Sequence, residues 1–82
     1  MQPYIALLRK DPHSDYGVDF PDLPGCVTAG RTPEEARAMA DEALALHLEG
    51  VREDGGPIPV PSSLANVMAD PLNRNATPFV VG

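Results

Sequence analysis

The sequence contains no tryptophan and only two tyrosines and two phenylalanines. Aromatic side chains contribute much of the buried area in many small cores, so the core of this chain must be built from Ala, Val, Leu and Ile. A chain of 82 residues folds as one domain and buries only about 60–65% of the surface of its unfolded state. We therefore expect a single domain over residues 1–82 that gains stability from a partner, or from copies of itself in a homodimer or higher homo-oligomer.

Cysteine is also scarce, because Cys26 is the single cysteine of the chain. One thiol excludes an internal disulfide framework and cannot build a structural zinc site. The chain opens with no basic leader followed by an apolar run, and no apolar stretch approaches the roughly 18 residues that a membrane-spanning helix needs. These absences predict a cytoplasmic protein.

Basic residues are few: six Lys and Arg stand against twelve Asp and Glu, which gives a net charge of −6. Proteins that bind nucleic acids hold the phosphates with Lys and Arg, so we expect no direct nucleic-acid binding by this chain. The same negative charge favours encounter with a basic protein.

Three short segments near the start of the chain predict an antiparallel meander. Residues 4–9 form an apolar run of strand length, residues 16–20 alternate between apolar and other side chains, and a third strand begins at residue 26. The third strand ends at Gly30 or Arg31. The segments between them are rich in Pro, Gly and Asp, which predict short turns.

A long helix is predicted from Thr32 onward. Thr32 is a suitable N-cap, Pro33 suits the first helical position, and Glu35 completes a capping box. Small and apolar residues then recur at helical spacing: Ala36, Met39, Ala40, Ala43, Leu44, His47, Leu48 and Val51. A helix of roughly 22 residues is expected, because residues 54–57 (DGGP) are typical of a helix end.

The remaining sequence predicts an extended segment, a short helix and a last strand. Three prolines alternate with other residues over 57–61, Ser62 and Ser63 can cap a helix over 64–69, and residues 78–81 have strand character. The resulting order β-β-β-α-α-β is typical of an α+β fold. We expect a small antiparallel sheet with one face covered by the long helix, and both helices grouped on one side.

The segment 16–36, YGVDFPDLPGCVTAGRTPEEA, is followed by an Ala- and Leu-rich helix and by GGPIPVPS. This combination, spanning residues 4–63, resembles the HicB-like antitoxin family of type II toxin–antitoxin systems. The resemblance implies a partial RNase H-like fold, with a small sheet covered by one long helix. It also implies that the chain binds a small basic HicA-type toxin, an mRNA-cleaving enzyme, and covers its active surface.

Other functions stay open at this point. A protein of the same fold can act as a stand-alone oligomeric interaction module without a toxin. Many members of the family carry a C-terminal DNA-binding domain, whereas this sequence stops at Gly82, so we expect no such domain in the chain as given. No cofactor is predicted.

Acidic residues are the candidate site. Asp11, Asp15, Asp19 and Asp22 are close in sequence, and carboxylates of this kind can hold Mg²⁺ in a nuclease. Asp19 is expected to point outward from its strand, however, and Asp22 lies in a proline-bounded turn where Asp commonly caps backbone amides. A solvated or turn-forming role is therefore favoured over toxin contact, and toxin contact over a catalytic metal site.

For contact with the partner we predict the acidic strand and helix positions Asp15, Asp19, Asp22, Glu42 and Glu49, against the alternative of a merely soluble exterior. His47 lies on the apolar stripe of the helix and is expected to be a hydrogen-bonded packing residue. No base or helix start adjoins Cys26 to lower its pKa, so Cys26 is expected to be a small buried hydrophobe. We predict no catalytic residue, no metal site and no enzymatic activity.

Overall fold

The computed structural model describes residues 3–10 and 12–82. The elements are β1 (Tyr4–Lys10), β2 (Tyr16–Asp19), β3 (Val27–Gly30), α1 (Pro33–Glu53), α2 (Leu64–Ala69), a 3₁₀ helix (Pro71–Asn73) and β4 (Thr77–Val81). The predicted α+β class and the order β-β-β-α-α-β are confirmed. The predicted boundaries differ by one residue at most strand ends, and the 3₁₀ helix lies in a stretch that the sequence predicts as loop.

The four strands form one antiparallel sheet in the order β3-β2-β1-β4. In the central strand β1, the neighbouring residues Ala6 and Leu7 are both 0% exposed. Successive side chains of a strand point to opposite faces, so this sheet is covered on both faces. Because both faces of β1 are covered, the strand needs apolar side chains at successive positions, which explains the uninterrupted apolar run over residues 4–8.

Helix α1 covers one face of the sheet and forms the main core with it. The buried core residues are Tyr4, Ala6, Val18, Phe20, Leu23, Cys26, Ala36, Ala40, Leu44, Leu48 and Val81. Ala36 and Ala40 keep this side of the helix narrow, so the helix lies close to the strands. The closest approach is at Gly30, where a Cβ atom would lie 2.4 Å from the backbone nitrogen of Ala36.

Helix α2 lies on the opposite face, so the prediction that both helices group on one side is wrong. Leu7 forms a second core cluster with Val67 and Ala76, and Ile5 and Met68 pack against it. The side chains of Ile5 and Leu7 alternate with those that contact α1. The chain must therefore cross to the other face between α1 and α2, over the extended segment 57–63.

The ends of α1 explain its length. Thr32 Oγ1 accepts a hydrogen bond of 3.0 Å from the Glu35 amide, as the predicted cap requires. At the other end Gly55 has a φ of +71°, and its N–H donates to the Arg52 carbonyl at 3.1 Å. The Gly56 amide donates to the Val51 carbonyl at 3.0 Å, which completes a Schellman motif. In the part of the chain that the structure describes, no helix is both long and apolar enough to cross a membrane.

Candidate functional site

The turn between β2 and β3, residues 20–26 (FPDLPGC), has its own hydrogen bonds. The Phe20 amide donates to the Cys26 carbonyl at 3.2 Å, and the Leu23 and Cys26 amides donate to the Phe20 and Leu23 carbonyls at 3.0 Å each. Gly25 has a φ of +88°, a conformation that favours glycine. Leu23 is buried in the main core. The motif is therefore a rigid turn that is attached to the core.

Asp22 connects this turn to a segment 40 residues later. Its carboxylate accepts the Ser62 amide at 2.7 Å and the Ser62 hydroxyl at 2.6 Å. The Tyr4 hydroxyl donates to the Pro59 carbonyl close by, and burial, together with the Asp22 charge, raises the pKa of that hydroxyl. The two sequence motifs FPDLPGC and PIPVPS thus meet in space. Asp22 therefore accepts a hydrogen bond from a backbone amide, as the sequence predicts. The amide belongs to the distant residue Ser62, however, and not to the turn that contains Asp22.

Replacing Asp22 by alanine is expected to lower the free energy of unfolding by about 1–3 kcal/mol, because it removes two hydrogen bonds to a charged acceptor. Urea unfolding followed by circular dichroism measures this change. Asp15→Ala is the matched control, since Asp15 is exposed and exposed substitutions usually change stability by less than about 0.5 kcal/mol. Equal losses in the two variants would contradict a clamping role for Asp22.

Asp19 is placed on the sheet face that α2 covers, and it forms an ion pair there. Arg9 Nε lies 2.7 Å from Asp19 Oδ1. The same guanidinium donates to the Leu72 carbonyl at 2.9 Å and to Asn73 Oδ1 at 2.8 Å. Asn73 is a buried polar residue that donates in turn to the Val67 carbonyl at 2.8 Å. Asp19 therefore orients an arginine that holds the 3₁₀ helix against the sheet.

The acidic residues of the first half of the chain do not converge on one point. Asp15 is exposed, Asp19 is paired with Arg9, and Asp22 is bonded to Ser62. Asp11 lies outside the described residues. Over residues 3–10 and 12–82, no group of three or more His, Cys, Asp or Glu side chains could hold a metal ion. The described arrangement gives no support to the magnesium hypothesis.

The outer surface of α1 carries the other two predicted residues, Glu42 and Glu49, which are both exposed. Seven residues separate them, so they lie two turns or about 10 Å apart on nearly the same line. Helical periodicity places Glu35 and Glu53 within about 20° of Glu42 around the helix axis. On the other side of α1, Arg37 lies 5.0 Å from the ring centre of Phe79 in β4.

We call the outer surface of α1, which carries the exposed residues Glu35, Glu42, Glu49 and Glu53, the acidic rim. Beside it, a cleft of about 380 Å³ lies between the outer part of α1 and the segment that leads into β3. Thr28 lines this cleft from β3, and Met39, Glu42, Leu46 and His47 line it from α1. Met39 and Leu46 are exposed apolar side chains. The cleft therefore has an apolar floor with negative charge at one edge. The sequence did not predict this combination, because Met39 was assigned to the apolar stripe that packs on the sheet and Leu46 was given no role.

His47 and Cys26 also adjoin this cleft. His47 is half-buried, as its place on the apolar stripe predicts, but no hydrogen bond of its ring is found within the described ranges, so the predicted hydrogen bond is not present there. Cys26 is 3% exposed, and burial raises the pKa of its thiol. Its role as a small buried hydrophobe is confirmed.

A second cleft, of about 470 Å³, lies on the α2 side of the sheet. Ile5 and Val80 line it from the sheet, Val60 lines it from the segment before α2, and Leu64 lines it from the first position of α2. Val60, Leu64 and Val80 are exposed. These two clefts thus differ in chemistry, since one is acidic at its edge and the other is apolar.

Comparison with known proteins gives a consistent family. The profile of the family described as "HicB_like antitoxin of bacterial toxin-antitoxin system" matches residues 4–82. The chain is 37% identical over 67 residues to "Antitoxin HicB 1" of Photorhabdus laumondii, which covers 82% of this chain and 43% of that protein. It is 39% identical over 66 residues to an uncharacterised 14.9 kDa protein of Haemophilus phage HP1, covering 80% of this chain and 50% of the phage protein.

Solved structures agree with the fold. The antitoxin HicB of Burkholderia pseudomallei superimposes with a TM-score of 0.89 at 30% identity, covering 100% of this chain and 63% of that one. A chain of a HicA3 and HicB3 toxin–antitoxin complex superimposes with a TM-score of 0.80 at 28% identity, covering 99% of this chain and 96% of that one. The present chain spans about half the length of the phage protein and of the Photorhabdus antitoxin.

Proposed function

The chain belongs to the HicB-like antitoxin family, and we propose that it neutralises a small basic HicA-type toxin by covering the toxin's active surface. A related chain has been solved in a HicA3 and HicB3 toxin–antitoxin complex. That relationship supports a toxin as the partner of this chain.

The observation that carries the proposal is the acidic rim beside an apolar cleft on the β3 side of α1. An RNA-cleaving toxin needs basic side chains to hold RNA phosphates. An acidic surface on the antitoxin attracts those side chains and competes with RNA for them. The apolar floor of the cleft then supplies contact area that excludes water from the interface. Neutralisation of this kind needs stoichiometric binding and no catalysis.

Of the five predicted contact residues, Glu42 and Glu49 suit this role best, because both are exposed along the outer surface of α1. Asp15 is also exposed and stays a predicted contact residue. Asp19 and Asp22 contribute negative charge to the surface while they hold Arg9 and Ser62 within the fold. Their contact with a toxin stays a prediction.

Co-expression of this chain with a small basic HicA-type toxin is expected to relieve the toxicity of that toxin, and the two proteins should co-purify. Because exposed charges are screened by salt, the complex should weaken as ionic strength rises. Glu42→Gln is expected to weaken binding about two- to fivefold, as for other exposed charge pairs. Calorimetric titration of the purified complex at low and high salt measures both effects.

Asp41→Asn is the control for Glu42→Gln. This substitution also removes one negative charge, at the residue that precedes Glu42. Helical geometry places Asp41 about 100° from Glu42 around the helix axis, toward Arg37 and β4. Affinity should change only for Glu42→Gln. If the wild-type chain forms no complex at low salt and leaves growth inhibited, the antitoxin proposal is wrong.

The alternative is a stand-alone interaction module, and self-association bears on it. Homodimer or higher homo-oligomer formation stays a prediction, and light scattering of the purified chain measures it. A homo-oligomer that hides the outer surface of α1, in a chain that binds no toxin, would favour this alternative over the antitoxin.

The proposal assigns no reaction, no cofactor and no direct nucleic-acid contact to residues 1–82, and it places the protein in the cytoplasm. The support is physical: a net charge of −6 repels phosphate backbones, and one buried thiol suits a reducing compartment.

A further inference from the structure

Strand β3 is at one end of the sheet order β3-β2-β1-β4. Over residues 3–10 and 12–82, no strand pairs with its outer side. The Phe20 amide donates to the Cys26 carbonyl, which makes these two residues a hydrogen-bonded pair. Such pairs alternate along an antiparallel ladder. The backbone groups of Thr28 and Gly30 therefore face β2, whereas those of Val27 and Ala29 face outward.

This edge is short, at four residues, but it lacks two other features that usually prevent strand addition. The segment Val27–Gly30 (VTAG) contains no proline and no charged residue, although edge strands are commonly protected by both. The opposite edge strand, β4, contains Pro78, and proline is confined to strand edges because it cannot donate to a ladder. Of the two edge strands among the described residues, β3 is therefore the one that lacks both proline and charge.

Side chains on both faces of the sheet beside β3 complement a strand that carries apolar and basic residues. On the α2 face, the register places Val27 beside Asp19, and Val27 is 66% exposed. On the α1 face, the edge adjoins the cleft with Met39 and Leu46, and Glu42 of the acidic rim also lines this cleft. A strand with both apolar and basic side chains on its α1 face, and an apolar side chain beside Val27 on the other face, matches these positions.

We propose that an extended basic segment of the partner toxin adds to β3 as a fifth strand. This inference rests on the proposed function and specifies where the toxin docks. The segment bonds through its backbone to the outward N–H and C=O groups of Val27 and Ala29, which is β-augmentation. Its side chains on the α1 face contact Met39 and Leu46, and its Lys or Arg side chains reach Glu42.

A second copy of this chain fits the edge less well. Antiparallel pairing of two β3 strands would bring two α1 helices to the same face of one sheet, so that their acidic rims would lie side by side. Like charges at such a junction oppose association, whereas a basic segment removes the repulsion. Charge complementarity therefore selects the toxin.

Amide hydrogen exchange tests the inference residue by residue. The probe is a HicA-type toxin that co-purifies with this chain, in a variant without RNA-cleaving activity so that the complex can be produced. In the free chain the amides of Val27 and Ala29 should exchange fast, because they face solvent, and in the complex they should slow at least about tenfold. The amides of Thr28 and Gly30, which already bond to β2, provide the internal control and should change much less.

Each result has a distinct meaning. If the complex forms and protects other amides but not Val27 and Ala29, the edge inference is wrong while the antitoxin function stands. If no complex forms, the proposed function fails and the edge inference fails with it. If both amides become protected in the chain alone as its concentration rises, a second copy occupies the edge and the inference is overturned.

A pair of valine variants gives an independent test. Val27 and Val80 are 66% and 64% exposed and lie on the two opposite edge strands. Val27→Lys should weaken toxin binding at least about tenfold, because it places a positive charge against a basic segment. Val80→Lys changes the net charge equally and should leave affinity within about twofold. Equal effects of the two substitutions would contradict docking at β3, and thermal unfolding checks that both variants fold.

Discussion

Replacing Gly30 by alanine is expected to lower the free energy of unfolding by about 3 kcal/mol, at the upper end of overpacking effects. The new Cβ would lie 2.4 Å from the Ala36 nitrogen, 2.7 Å from the Ala36 Cα and 2.8 Å from the Glu35 carbonyl carbon. All three neighbours are backbone atoms of the first turn of α1, so no side chain can rotate away. The helix start must move from the sheet, and Ala36 would lose its packing in the main core.

Gly50→Ala is the matched control. Gly50 lies within α1, and a Cβ atom there would have no neighbouring atom outside the local helix backbone within 4 Å. Alanine is the better helix former by about 0.5–1 kcal/mol, so this variant should be slightly more stable than the wild type. Denaturant unfolding measures both free energies. The same chemical change is thus expected to give opposite signs at the two positions, and a stabilised Gly30→Ala variant would refute the close approach of α1 to β3.

The sequence predicted the elements well because their signals are local. The cap at Thr32, the helix end at Gly55 and the limits of α2 each depend on a few adjacent residues. The face on which α2 packs is not a local property, because a short amphipathic helix can lie on either side of a sheet. The apolar run over residues 4–8 did contain the needed signal: neighbouring residues such as Ala6 and Leu7 can both be buried only if both faces are covered.

The candidate site was predictable only in part, for a similar reason. The acidic surface of α1 follows from helical spacing, so Glu42 and Glu49 could be placed on it from the sequence. The partners of Asp19 and Asp22 could not, because Arg9 and Ser62 are 10 and 40 residues away along the chain. The open side of β3 was also hidden, since strand order in the sheet decides which strand lies at the edge.

Leu44→Ala is expected to lower the free energy of unfolding by about 2–5 kcal/mol. Leu44 is 1% exposed and belongs to the main core between α1 and the sheet. Removing its isopropyl group leaves a cavity in the cluster that includes Ala40 and Leu48, and the surrounding structure of a packed core closes such a cavity only in part. Because a domain of this size has a total stability of about 4–12 kcal/mol, the variant should unfold at a much lower urea concentration.

Leu46→Ala is the matched control for Leu44→Ala, because it makes the same substitution two residues later in α1. The difference in unfolding free energy between the two variants therefore reports the loss of core packing and not the change in helix propensity. Leu46 is 64% exposed, so its loss should cost less than about 0.5 kcal/mol of stability. Toxin affinity should show the reverse order, because Leu46 contributes to the floor of the proposed docking cleft, whereas Leu44 faces the core. If Leu46→Ala binds toxin as tightly as the wild type in calorimetric titration, the cleft does not contribute to docking. If instead the two variants unfold at the same urea concentration, α1 does not present Leu44 to the core as described.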